Sequence, residues 1–278
     1  MKAVMDNVFS AVNFIRSRAL NHRQFVSLLE AVCSEYGEIL YHTEVRWPSH
    51  GRVLKRFFDL RKEIDTFMKR KNRAIAELSD EKWLHSLAFL TDITDHLNCL
   101  NVKLRRKHKL IARMHDDIRA FQSKLQLWER QVRLQMFDHF LTLKSLENVD
   151  KESCDNFSGL LRDLRREFEK RFKDITSLAD DFRIFSLPFS VPVDDAAPEL
   201  EMELRELQAS TPLKQKFQDV GGVPDFYEFL DDACFPALRR QAALIIAMFG
   251  STYLCEHLFS LLKVNKSALR SRMTDEHL

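Results

Sequence analysis

Apolar residues recur at three- and four-residue spacing along most of the chain, the mark of one helix face after another turned toward a core. Val4, Val8, Val12, Ile15 and Ala19 open the series. Asn21 with Gln24 three residues on has the form of a capping box, and Phe25, Leu28, Leu29 and Val32 continue the pattern. Gly37 is placed to end that second helix. The period then breaks: EILYHTEV, residues 38–45, is rich in β-formers and too short for a helix of its own, so a strand is expected there. It delivers the chain to Arg46-Trp47-Pro48-Ser49-His50-Gly51, where Pro48 favours an extended Trp47 and Ser49 can cap the next helix.

Helical spacing returns with Val53, Phe57, Leu60, Ile64 and Phe67. A polar connection, KRKNR (69–73), precedes Ser79-Asp80, which caps a long helix striped by Leu84, Leu87, Ala88, Ile93, Leu97, Leu100 and Leu104. The basic run KLRRKHK (103–109) marks the turn into another helix carrying Ile111, Met114, Ile118, Phe121, Leu125, Trp128 and Val132. That stripe is expected to run on through Met136, Phe137 and Phe140. After a polar break at 148–155 comes a helix with Phe157, Leu161, Leu164, Phe168, Phe172 and Ile175. These spacings suit helices packed on helices, so 52–181 is predicted to be an all-helical bundle. From 182 to 199 the composition shifts to prolines without a helical stripe, and Phe182–Val193 reads as a β-like linker. A short acidic helix comes next with Leu200, Leu204 and Leu207, then a turn at Gly221-Gly222 and Pro224. The chain is helical again from about Asp225, with breaks at Pro236 and near Gly250-Ser251.

Composition narrows the class. Across 278 residues, 45% hydrophobic and 30% charged side chains point to a soluble globular protein able to bury a core. Lys and Arg number 43 against 41 Asp and Glu, so any nucleic-acid surface must be a local patch. Cys33, Cys99, Cys154, Cys234 and Cys255 stand singly, with neither a CxxC pair nor zinc spacing. No structural metal or other cofactor is expected, and the compartment is expected to be reducing. Met1 opens a mixed polar helix rather than a leader, and the longest apolar run, AALIIAMF (242–249), is too short to span a bilayer. Neither a membrane nor a small-molecule substrate is suggested as a partner.

The candidate chemistry lies near the end of the chain. In FGSTYLCEHLFSLLKVNKSALRSRMTDEHL, Ser251, Glu256, Phe259 and Ser260 form a Ser-rich turn, a glutamate-bearing helix and a Phe-Ser pair. Taken alone, this is an amphipathic helix with one ordinary acid. Its pattern nevertheless resembles the C-terminal signature of the hobo/Activator-type (hAT) transposases. EVRWPSHGRVLKRFF (44–58) is similar to the segment where those enzymes leave an RNase H-like core for a helical insertion, and 225–260 is similar to their C-terminal region. NFIRSRALNHRQF, LYHTEVRW and STYLCEHLFS resemble phrases of host proteins derived from such elements, including the general transcription factor II-I repeat-domain group and relatives with BED or SCAN modules.

The resemblance implies a mainly α fold, an all-helical insertion flanked by remnants of an RNase H-like α/β core with one or two short strands. Residues 1–51 would be the core remnant, 52–181 the insertion, 182–199 the linker and 200–278 a dimerisation region, the chain corresponding to a C-terminal part of such a protein. Leu244, Ile245, Phe249, Leu258, Phe259 and Leu262 are its dimerisation candidates. Glu256 matches the third carboxylate of the family's Asp-Asp-Glu site, whose aspartates come from strands upstream of the Arg-Trp segment. Before Arg46 the sequence offers no Asp on a β-like segment, and Asp6 falls on a predicted helix. Two-metal phosphoryl transfer needs several converging carboxylates, so neither a metal site nor catalysis is expected. The implied protein is nuclear and acts by pairing with itself or related proteins and by weak contact with DNA; the rival is a truncated Asp-Asp-Glu nuclease fragment.

For DNA the candidates are Arg46, Trp47 and the run Lys103, Arg105, Arg106, Lys107 and Lys109. Trp47 could stack on an unpaired base or pack at a junction, and Arg46 could meet a phosphate or an acid. The basic run could neutralise phosphates or be a solvated turn, and Lys263, Lys266, Arg270 and Arg272 could widen the same patch.

Overall fold

The apolar stripes become helices. A computed structural model describes residues 1–16, 18–31, 47–105, 110–220 and 223–248, and among these all regular structure is helical. The strand expected at 38–45 lies outside the described residues. The chain divides into two compact units, Met1–Asn101 with Ser123–Arg166, and Val102–Gln122 with Glu167 onward.

The first unit contains α1 (Lys2–Arg16), α2 (Ala19–Ala31), α3 (Trp47–Asp59), α4 (Arg61–Arg70) and most of α5 (Glu81–Leu104). To these it adds the later part of α6 (Ile111–Arg133), the single-turn α7 (Leu141–Lys144) and most of α8 (Lys151–Arg171). Helix α1 packs on α2 and α3, and α4 packs on both α2 and α3. Val8, Val12, Ile15, Phe25, Leu54, Phe57, Ile64 and Leu87 are fully buried. Phe89 stacks on Phe157 at 4.4 Å and on Phe140 at 5.5 Å, binding α5 to α8 and to the residue that precedes α7.

Several helix ends differ from the expectations of the sequence. Asn21 does not cap α2; it is buried, and its Nδ2 donates to the Phe14 carbonyl at 3.0 Å, satisfying an orphan acceptor at the end of α1. Trp47 is not extended but opens α3, because a proline in the first helical turn lacks only an N–H that has no intrahelical partner. Asp80 caps α5 as expected, its Oδ1 accepting from the Lys82 amide at 2.9 Å. Helix α6 stops at Arg133 rather than running through Phe140, and Met136 is exposed. The reversal is made by Gln135 in the left-handed region, φ 56°, with the Met136 amide donating back to the Gln131 carbonyl at 2.9 Å.

The second unit adds α9 (Lys173–Thr176), α10 (Ala179–Ser186), α11 (Pro198–Ala209), α12 (Thr211–Asp219), α13 (Asp225–Glu228) and α14 (Pro236–Ala247). Helix α14 packs on α10, α11 and α13. The stretch 182–193, read as β-like, forms the end of α10 and an irregular turn instead. Phe182 and Phe185, one helical turn apart, are both in the core, and α10 ends before Pro188. A strand there would need a partner edge; the Pro188 and Val191 carbonyls instead both accept from Gln208 Nε2 at 2.8 Å. Phe226 is fully buried against Phe217 at 5.0 Å, and Tyr227 stacks on Phe185 at 5.2 Å while donating to its carbonyl at 3.1 Å. Burial drives the Tyr227 phenol well above its usual pKa, so the donor stays protonated.

Candidate nucleic-acid interface

Most of the residues singled out by sequence fall outside the described structure: Arg46, Arg106, Lys107, Lys109, Phe249, Ser251, Glu256, Leu258, Phe259, Ser260 and Leu262, together with Lys263, Lys266, Arg270 and Arg272. Trp47 is the first residue of α3. Lys103 stands in the last turn of α5, and Arg105 comes just after that helix. Of the dimerisation candidates, Ile245 is 2% exposed within the core of the second unit, whereas Leu244 beside it is 61% exposed.

A basic site that sequence spacing did not single out is built on α6 and α8 in the first unit. Helix α6 buries Leu125, Trp128 and Val132 on one side. The opposite side carries Ser123, Gln126, Leu127, Arg130 and Arg133, at the three- and four-residue steps that align side chains along a helix. Together with Glu129, also on α6, and with Arg165 on α8, they line a groove of about 440 Å³.

One acid is shared among the cations. Glu129 accepts from Arg162 Nε at 2.8 Å and lies 3.9 Å from Arg165 Nε. That hydrogen bond holds the Arg162 pKa above its ordinary value. Arg130 and Arg133 add their charges on the exposed side. The groove is therefore locally positive although the whole chain carries a net charge of only +2. Its lining offers guanidinium forks, a hydroxyl and a side-chain amide, a donor set suited to phosphate or carboxylate oxygens. Among the described residues no group of three or more His, Cys, Asp or Glu could hold a metal ion. Asp6 is exposed on α1.

A second surface feature lies at the end of α14. Leu238, Ala242 and Ile245 face the core, yet Leu244 and Ile246, on either flank of that seam, are 61% and 41% exposed, and Met248 is 36% exposed. A surface helix ordinarily carries polar side chains at such flanks.

Residues 1–133, ending where α6 ends, match the family model described as the FAM200/GTF2IRD2 helical domain. Over 275 residues the chain is 41% identical to General transcription factor II-I repeat domain-containing protein 2 of Bos taurus, covering 99% of this chain and 29% of that protein. The protein of the same description from Mus musculus is 42% identical over 266 residues, covering 96% of this chain and 28% of its own length. No solved structure matches. The chain thus spans less than a third of the length of these curated relatives, and it is homologous to them along nearly all of its own length.

Proposed function

We propose that the chain is a domesticated hAT transposase-like module that acts in the nucleus without chemistry of its own, by associating with a second copy or a related protein and by weak contact with DNA. The observation that carries this reading is the apolar end of α14, where Leu244, Ile246 and Met248 stand exposed beside the buried seam. Large apolar side chains gathered at one helix end are surface that a partner would remove from water. The name of the relatives, a general transcription factor repeat-domain protein, supports a nuclear setting. The lack of chemistry rests on the donor set: Glu256 alone cannot supply the converging carboxylates that a pair of Mg²⁺ ions requires.

Multi-angle light scattering across a concentration series tests the association. The wild-type chain should rise from its 32.7 kDa monomer mass toward twice that value. The double variant Leu244→Glu/Ile246→Glu should stay monomeric, because two buried charges would oppose the contact. A wild type that is monomeric throughout, or a variant that associates equally well, would refute the reading.

A further inference from the structure

We infer that the groove between α6 and α8 is a phosphate-backbone track, holding one strand of a nucleic acid by its phosphates without reading its sequence. The inference rests on the DNA contact proposed above and assigns it to residues that neither the basic run at 103–109 nor Arg46 and Trp47 include.

Length, donors and the missing stacking surface support the assignment. From Ser123 to Arg133 the lining face of α6 extends about 15 Å at the α-helical rise, close to the axial length of about four phosphates on one strand. Arg130 and Arg133 project along that face, and Arg165 faces it from α8. Guanidinium forks match phosphate oxygens in pairs, and Ser123 and Gln126 continue the line with neutral donors. Glu129 is shared between Arg162 at 2.8 Å and Arg165 at 3.9 Å, so with Arg130 and Arg133 the cations around the groove outnumber this acid. A base-reading or stacking site needs an aromatic face, and among the described residues the lining has none: Trp128, the nearest on α6, is 5% exposed on the opposite side. Among the described residues Leu127 is the one apolar member of the lining, so an amphipathic peptide would find little to bury there. Contacts of this kind fix position and carry no sequence information.

Fluorescence anisotropy of the full chain with two labelled DNA duplexes of unrelated sequence, and with labelled poly-glutamate, tests the assignment. The variants are Arg130→Glu/Arg133→Glu, the same pair changed to Ala, and Arg171→Glu as a control outside the groove. Arg130, Arg133 and Arg171 are exposed, so unchanged circular-dichroism melting should accompany all of them. The wild type should bind both duplexes alike. The Glu pair should weaken binding at least about tenfold and the Arg171 change less than about threefold, since each phosphate contact adds its own increment. In the Ala pair the slope of log affinity against log salt should be shallower by about 1.8, at about 0.9 per lost contact. Duplex binding that the groove variants leave no weaker than Arg171→Glu would overturn the groove while sparing DNA contact itself. Absence of duplex binding would overturn both. Tighter, groove-dependent binding of poly-glutamate would replace the nucleic acid with an acidic peptide.

Discussion

Asp92 and Asp150 each cap a helix start, yet their surroundings push them in opposite directions. Asp92, on α5, accepts from the Thr142 and Leu143 amides at 3.1 and 2.9 Å, supplying α7 with the cap that its own preceding residue, Phe140, lacks. Burial raises its pKa above the ordinary carboxylate value, against the opposing pull of those hydrogen bonds. Asp150, in front of α8, accepts from the amide and hydroxyl of Ser153, both at 2.8 Å, and these bonds lower its pKa. A raised folded-state pKa gives stability that is complete below the unfolded value and is lost as pH rises through the folded one. A lowered pKa gives stability present above the unfolded value and lost as pH falls through the folded one. Urea unfolding should therefore show the wild type's advantage over Asp92→Asn shrinking as pH rises from about 4 to about 7, and its advantage over Asp150→Asn growing as pH rises from about 2 to about 4. Parallel trends for the two variants would contradict this account. The cap of α7 was not visible in sequence, because Asp92 lies far from Thr142 along the chain.

Helix interiors were legible, and several helix ends were not. The periodic stripes of α5, α6 and α8 could be read because core-facing positions repeat whatever neighbour they meet. The end of α6 carries no glycine or proline signal, for Gln135 takes the left-handed conformation that glycine usually fills. Its side chain helps to hold it there, with Nε2 donating to the Val149 carbonyl at 3.0 Å. Removing that bond should cost about 1 kcal/mol in Gln135→Ala, where the left-handed strain remains. Gln135→Gly loses the same bond but relieves about 1 kcal/mol of strain, so it should unfold within about 0.5 kcal/mol of the wild type. Equal destabilisation of the two would show that backbone strain is not what this turn stores. The 182–193 stretch misled for a related reason: Phe, Ile and Val favour strands on average, but the nearest acceptor-satisfying group is Gln208, and burial of Phe182 and Phe185 sets a helix. Half of the basic groove was also readable, since Arg130 and Arg133 lie one turn apart on the face away from the α6 stripe. The approach of Arg165 from α8 depends on tertiary packing and left no mark in sequence spacing.

For the whole molecule, the mainly helical character anticipated from periodicity agrees with the structure, and the homology to the II-I repeat-domain proteins agrees with the phrases that suggested it. The proposal that the protein binds rather than cuts turns on Glu256 standing without metal-binding companions. Calorimetric titration of Mg²⁺ and Mn²⁺ into the wild-type chain and Glu256→Gln, with a DNA-cleavage assay on the same samples, tests this most directly. Indistinguishable titrations with no strand scission are the expected result. Micromolar metal binding and DNA cleavage that both disappear in Glu256→Gln would contradict it.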